Sequence, residues 1–168
     1  IVARKDADGA FAAGLETLDL ADLPDEPVLV DVEYSTVNYK DGLAVTNAAP
    51  ICQKLPMVCG IDLAGTVAES NVVDWQIGDK VLVNGYGLSE RHWGAYTQKQ
   101  RVNPDFLLRI PAAFTAEQAM AIGTAGYTAM LAVNAIRDHG TRPEDGPVLV
   151  TGSAGGVGSV SILLLAKL

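Results

Sequence analysis

Histidine and cysteine are nearly absent from this chain: two of each occur in 168 residues. That leaves little for a zinc centre, which needs three or four N, S or O donors. It leaves as little for a disulfide framework of the kind that staples small secreted domains. Cys52 and Cys59 are therefore expected to be reduced thiols in a cytoplasmic protein. Basic side chains are also scarce. Twelve Lys and Arg stand against 20 Asp and Glu, for a net charge of −8. Nucleic acid and anionic membranes are poor partners for such a surface, because both need basic patches. A small anionic cofactor is not excluded, since a few local donors can hold one. No apolar run approaches the roughly 20 residues of a membrane span. The longest, Val157 to Leu165, is broken by Gly158, Ser159 and Ser161. The opening Ile1-Val2-Ala3-Arg4-Lys5-Asp6 has no signal-peptide layout.

What is present reads as a soluble globular chain, 49% hydrophobic and 19% charged, long enough for one domain or one and a half. Weak alternation surrounds Gly9 and Gly14. Val28 to Ser35 predicts a strand, with β-branched residues and alternation on its later half. Leu63 to Glu69, Lys80 to Asn84 and Gly94 to Val102 predict three more, with a turn at Gln76-Ile77-Gly78-Asp79. Short strands punctuated by Gly and Pro predict a compact β domain up to about residue 110. Beyond Pro111 the grammar changes. Thr115 and Gln118 have the spacing of a capping box, and Ala116 to Arg137 predicts one or two helices. Gly123 and Gly126 each weaken that segment by up to about 1 kcal/mol relative to Ala, which suits a kink or a close contact.

The last distinctive stretch is Val148-Leu149-Val150-Thr151-Gly152-Ser153-Ala154-Gly155-Gly156-Val157-Gly158. An apolar run predicting a strand meets a glycine cluster, and an apolar helical pattern follows. Ser153-x-Gly155-x-x-Gly158 matches the dinucleotide-binding pattern G-x-G-x-x-G with Ser in the first place. In that pattern Gly155 lets the backbone approach a pyrophosphate and Gly158 lets the helix pack closely. The amides at the helix start then face the phosphates. A tight strand-to-helix turn without a ligand is the competing reading. A parallel strand pair with its crossover takes about 30 residues, so only the opening of such a unit lies before Leu168. The residue that would select NAD or NADP falls about 20 residues on, past the chain end. The expectation is the front half of an oxidoreductase, inactive by itself.

Three polar loops are the other sites where chemistry could reside. Asn38-Tyr39-Lys40-Asp41 places an amide, a phenol, an ammonium and a carboxylate together between Val37 and Leu43, on a short helix or loop. A solvated turn with Tyr39 half buried is the plainer reading of the same residues. Gly85 to Gly94 contains His92, an acid–base candidate or a surface histidine beside Trp93. In Gly60-Ile61-Asp62, Asp62 is either buried and paired or a turn cap.

Taken together, Asn38 to Ala44, Gly60 to Val67, Gly78 to Val81, Glu90 to Gly94, Ala119 to Leu131 and Thr151 to Gly158 resemble the zinc-free, quinone-oxidoreductase-like branch of the medium-chain dehydrogenase/reductase superfamily. Within it the likeness is to acryloyl-CoA reductases and quinone oxidoreductases. The resemblance implies a mixed α/β (α+β) fold: a GroES-like β-barrel catalytic domain over residues 1–112, then linking helices and the first β-α part of a Rossmann domain over 113–168. It implies NADPH-dependent reduction of an activated C=C bond in a polypeptide roughly twice as long, most simply acryloyl-CoA to propanoyl-CoA, with a homodimer as the assembly. A quinone or enone reductase and a non-catalytic GroES-like module stay open as alternatives. Tyr39 falls at the family's cofactor-contacting position, Ala154, Gly155, Gly156, Val157 and Gly158 at its phosphate loop, and Thr124 at the helix near the nicotinamide. Tyr39 is then the candidate proton donor, although phenols ionise only near pH ~10, with Asn38 and Asp41 orienting the reacting group. Zinc-dependent relatives carry Gly-His-Glu where this chain has Gly60-Ile61-Asp62, and Ile61 offers a metal no lone pair.

Overall fold

A computed structural model describes residues 1–168. The chain divides into two compact units, Ile1–Ala121 and Ile122–Leu168.

The first unit is built from two antiparallel sheets. Strands β1 (Val2–Lys5), β2 (Phe11–Gly14) and β4 (Met57–Val58) form the smaller, in the order β2-β1-β4. The larger joins β3 (Val28–Ser35), β5 (Asp62–Ser70), β6 (Lys80–Asn84), β7 (Lys99–Val102) and β8 (Leu108–Arg109) in the order β7-β3-β5-β6-β8. Alternating positions on these strands supply the main core: Val28, Val30, Leu63, Val67, Val81 and Val83, closed by Val102 and Leu107. Every one of these is under 5% exposed, and burial of a Val or Leu side chain is worth about 1.5–3 kcal/mol. Leu29 lies on the opposite face of β3 and is also buried, so this strand is covered on both sides. The predicted turn before β6 forms as expected. Asp79 accepts the Gln76 amide at 2.8 Å, and Gly78 supplies a φ of +94°.

The β-domain expectation holds, with one strand shorter than predicted. Only Lys99–Val102 of the segment Gly94 to Val102 joins the sheet. Residues 94–96 instead bond the backbone of 58–60: Ala95 N–H to Gly60 O at 3.0 Å and Tyr96 N–H to Cys59 O at 2.8 Å. Gly94 permits this approach, since a Cβ there would meet the Cys59 carbonyl carbon at 2.6 Å.

Helix α2 (Ala116–Asp138) begins on the predicted capping box, with Gln118 N–H to Thr115 Oγ1 at 3.1 Å and Thr115 N–H to Gln118 Oε1 at 3.0 Å. By length and composition it could cross a membrane. It is not one continuous helix, however. Gly123 sits at φ 52°, ψ −165° and breaks it, so neither piece reaches the roughly 20 residues a span needs.

In the second unit the part of α2 after Gly123 meets helix α3 (Gly156–Leu165). Small residues set the contact: a Cβ on Gly156 would lie 2.9 Å from Ala125 Cβ, and one on Gly126 4.0 Å from Val160. The predicted strand Val148-Leu149-Val150 does not form, and these residues pair with no neighbour. The reason is physical. A strand is defined by a hydrogen-bonded partner, and no other segment of Ile122–Leu168 is extended to supply one. Leu149 is 89% exposed as a result.

Candidate functional site

The polar cluster after β3 resolves into helix α1 (Tyr39–Thr46), capped by Asn38. Its first turn faces two ways. Asn38 and Asp41 turn inward. The Asn38 N–H donates to Asp41 Oδ2 at 2.8 Å, and its Nδ2 reaches Thr36 Oγ1 at 2.6 Å, Asp41 Oδ2 at 3.1 Å and Asp62 Oδ2 at 3.3 Å. Asp41 is 1% exposed and its other oxygen accepts the buried Ile61 N–H at 3.0 Å. Asp62 is fully buried, accepting from Thr36 Oγ1 at 2.6 Å and Asn84 Nδ2 at 3.0 Å. Two buried carboxylates are thus bridged by one amide, and each is satisfied, as burial of charge demands. Tyr39 points the other way at 86% exposure, beside the equally exposed Val37. The plainer reading, with Tyr39 half buried as packing, does not hold: the helix cap turns its neighbours inward and Tyr39 out. Lys40 pairs with Glu90, fastening α1 to the 85–94 loop.

Thr36, Asn84 and Tyr96 belong to this network without any signal in the sequence. Strand registers bring them in: β5 pairs Asp62 with Asn84 on β6, and Tyr96 donates its hydroxyl to Thr36 O at 2.8 Å. Gly60, at φ +101°, makes room for that ring, since a Cβ there would sit 2.8 Å from Tyr96 Cδ1. His92 is half-buried and packed edge-on against Phe106, centroids 5.1 Å apart, so it is not the surface histidine beside Trp93 that the sequence offered.

Burial, then the Asp41 charge, pushes the Tyr96 phenol above its ordinary range. Burial, then the Cys52 thiol, pushes Cys59 up to about 11. Both are acids held protonated by the fold, so the unfolded chain loses these protons first. Their contribution is whole below the unfolded values and fades as pH rises through the folded ones. Stability is therefore expected to fall from about pH 9 upward, as thermal unfolding across the alkaline range would measure. Tyr96→Phe should remove the later part of that decline.

The glycine loop of the second unit forms a tight corner. Gly152 adopts φ +63° and its carbonyl accepts the Gly155 N–H at 3.0 Å. Gly158 lies against that turn, where a Cβ would sit 2.8 Å from Ser153 Cα. Gly155 is the N-cap of α3 and offers no side chain, so the Gly156 and Val157 amides have no acceptor from the chain. Ala154, Gly155, Gly156 and Val157 are exposed. Thr124 lies in the same unit, one residue past the α2 break, and its carbonyl accepts Thr128 Oγ1 at 2.7 Å. An uncapped helix start with small residues around it is suited to a phosphate. No group of three or more His, Cys, Asp or Glu gathers anywhere in the chain, so a zinc ion has no fitting donor set.

Antiparallel β domain, helical linker and glycine corner together define one class. The chain belongs to the alcohol dehydrogenase GroES-like domain family, whose model matches residues 24–135. Among individual proteins it is 51% identical over 168 residues to the acrylyl-CoA reductase AcuI of Ruegeria pomeroyi, covering all of this chain and 51% of that protein. It superposes with a TM-score of 0.94 and 46% identity on the yhdH oxidoreductase of Salmonella enterica, solved with NADP, covering 99% of this chain and 52% of that one. Against YhfP of Bacillus subtilis, solved with NAD, the values are 0.91 and 39%, with coverages of 99% and 50%. The chain spans about half the length of the relatives it matches.

Proposed function

We propose that these residues are the catalytic β domain (residues 1–112), and the linking helices and opening of the dinucleotide-binding domain (113–168), of a zinc-free, NADPH-dependent reductase of activated C=C bonds. The substrate is an acryloyl thioester of coenzyme A. The observation that carries this reading is the glycine corner, whose first helical amides have no internal acceptor. The half-length likeness to a protein named acrylyl-CoA reductase supports the substrate class.

Ala154, Gly155, Gly156, Val157 and Gly158 hold the cofactor's pyrophosphate on backbone N–H groups, and Thr124 lies toward its nicotinamide end. NADPH, when bound, supplies a hydride. Tyr39, the one exposed hydrogen-bonding side chain in the first turn of α1 that carries no partner in the chain, contacts the cofactor ribose or donates to the thioester oxygen, where negative charge develops. Asn38 and Asp41 are positioning residues, since their polar atoms are engaged in capping α1 and bridging to Asp62.

The test is NADPH oxidation by a polypeptide of the relatives' full length that carries these 168 residues. Acryloyl-CoA is expected to be reduced far faster than a benzoquinone. Tyr39→Phe is expected to lower kcat/KM by roughly 10²-fold without loss of folding. Unchanged turnover and cofactor affinity would remove Tyr39 from the reaction. A second reading, quinone reduction, is favoured by the 40% identity to YhfP, which carries the provisional name quinone oxidoreductase. Preference for benzoquinone in the same assay would establish it instead.

A further inference from the structure

The first unit holds a feature that the proposed reaction does not use. Cys52 and Cys59 share one apolar cluster beneath the small sheet, with Ala3, Ala44 and Phe11. Within that cluster each thiol is near enough to perturb the ionisation of the other. The two differ in every other respect. Cys59 is completely buried, and its backbone is fixed on both sides, N–H to Ile1 O at 3.0 Å and C=O from Tyr96 N–H at 2.8 Å. Cys52 is only half-buried and lies in the irregular segment before β4, outside any strand ladder. It lines a cavity whose charged wall residues are Arg4, Lys5 and Lys54, with no carboxylate among them. Arg4 also pairs with Glu16, which leaves the two lysines unopposed there. In a chain of net charge −8, a thiol set among cations is a local exception.

We propose that Cys52 and Cys59 form a reversible thiol–disulfide pair, opened to solution through Cys52 and addressed by small anionic disulfides such as glutathione disulfide. The Cys52 thiolate attacks one sulfur of glutathione disulfide, forming a mixed disulfide and releasing one glutathione thiolate. The Cys59 thiolate then attacks the Cys52 sulfur and releases the second glutathione. The protein loses two electrons and two protons, and glutathione disulfide gains them. Cations beside the entry thiol favour the approach of the anionic reagent, while the buried neighbour resolves the adduct. Burial stabilises neither thiolate, Cys59 being raised to about 11, so the reduced form gains nothing electrostatically and the disulfide, once made, resists reduction. The bond would tie the 52–55 segment to the strand end that leads through Gly60 into Ile61, whose amide Asp41 holds. This inference does not depend on the proposed reductase activity.

The 168-residue chain is equilibrated with mixtures of reduced and oxidised glutathione, quenched in acid, alkylated and weighed intact. The expected product is a species two hydrogens lighter, with neither thiol alkylated and no glutathione attached. Its fraction should follow the squared concentration of glutathione over that of its disulfide, as an intramolecular bond requires. Cys59→Ser should stop as a one-glutathione adduct on Cys52. The proposal is overturned if the wild-type chain keeps both thiols at the most oxidising ratio, halts as a stable glutathione adduct, or forms only disulfide-linked dimers. The wild-type result decides the matter if the variant does not fold.

Discussion

Replacing Asp41 with alanine is expected to lower the stability of the β unit by roughly 3–5 kcal/mol. The carboxylate is 1% exposed and accepts hydrogen bonds from Asn38 N–H, Asn38 Nδ2 and Ile61 N–H. Removing it strands a buried backbone N–H twenty residues away in sequence and opens the capping box of α1 by leaving the Asn38 N–H without its acceptor. Each unsatisfied buried group costs about 1–3 kcal/mol, and loss of the cap adds about 1 kcal/mol. Asp41→Asn should recover only part of this, because its NH₂ group meets another donor wherever it turns. Urea unfolding of the chain provides the measurement, with Tyr39→Phe as control. Tyr39 is 86% exposed, so its change should stay within about 0.5 kcal/mol. Equal losses for the two variants would mean that Asp41 does not hold the β5 entry.

Gly65→Ala should be at least as damaging. Gly65 is paired with Val32 across the β3–β5 ladder, and a Cβ on it would collide with the Asp31 carbonyl, its carbon at 2.9 Å and Val30 Cγ1 at 3.1 Å. A flexible side chain could swing away, but a carbonyl inside the central ladder can move only with its strand. Overpacking against side chains costs about 1–3 kcal/mol; against backbone the cost is expected to exceed that, roughly 4 kcal/mol or more. Gly42→Ala is the opposite case. It sits inside α1 with nothing within 4 Å of its would-be Cβ, so it should stabilise the chain by up to about 1 kcal/mol. A thermal melt of both variants separates the two effects by sign.

The contrast between Asp41 and Tyr39 marks how far sequence reasoning reaches. Local patterns were legible because their causes are local. The β3 and β6 limits follow from alternation, the Thr115–Gln118 box from spacing, and the Gly123 break from the missing side chain. The cluster at 38–41 was legible as a place where chemistry gathers, but not its division of labour. Which residue faces inward depends on a cap at Asn38 and on partners contributed by β5 and β6, and those partners are set by ladder register. Thr36, Asn84 and Tyr96 carry no mark of membership in the network, because nothing in their own neighbourhood places them there. Val148-Leu149-Val150 shows the converse failure. Its composition is that of a strand, yet composition cannot supply the neighbouring backbone that makes one.

Because the corner at Gly155 offers its helix no acceptor, part of the folding free energy of the second unit is left for solutes to complete. Any anion that seats there adds RT ln(1 + [L]/Kd) to that unit's resistance to unfolding. If phosphate binds there, the persistence of the α3 amino end is tied by mass action to the phosphates dissolved around it, and the melting of these 47 residues would report on ligand supply as well as on sequence.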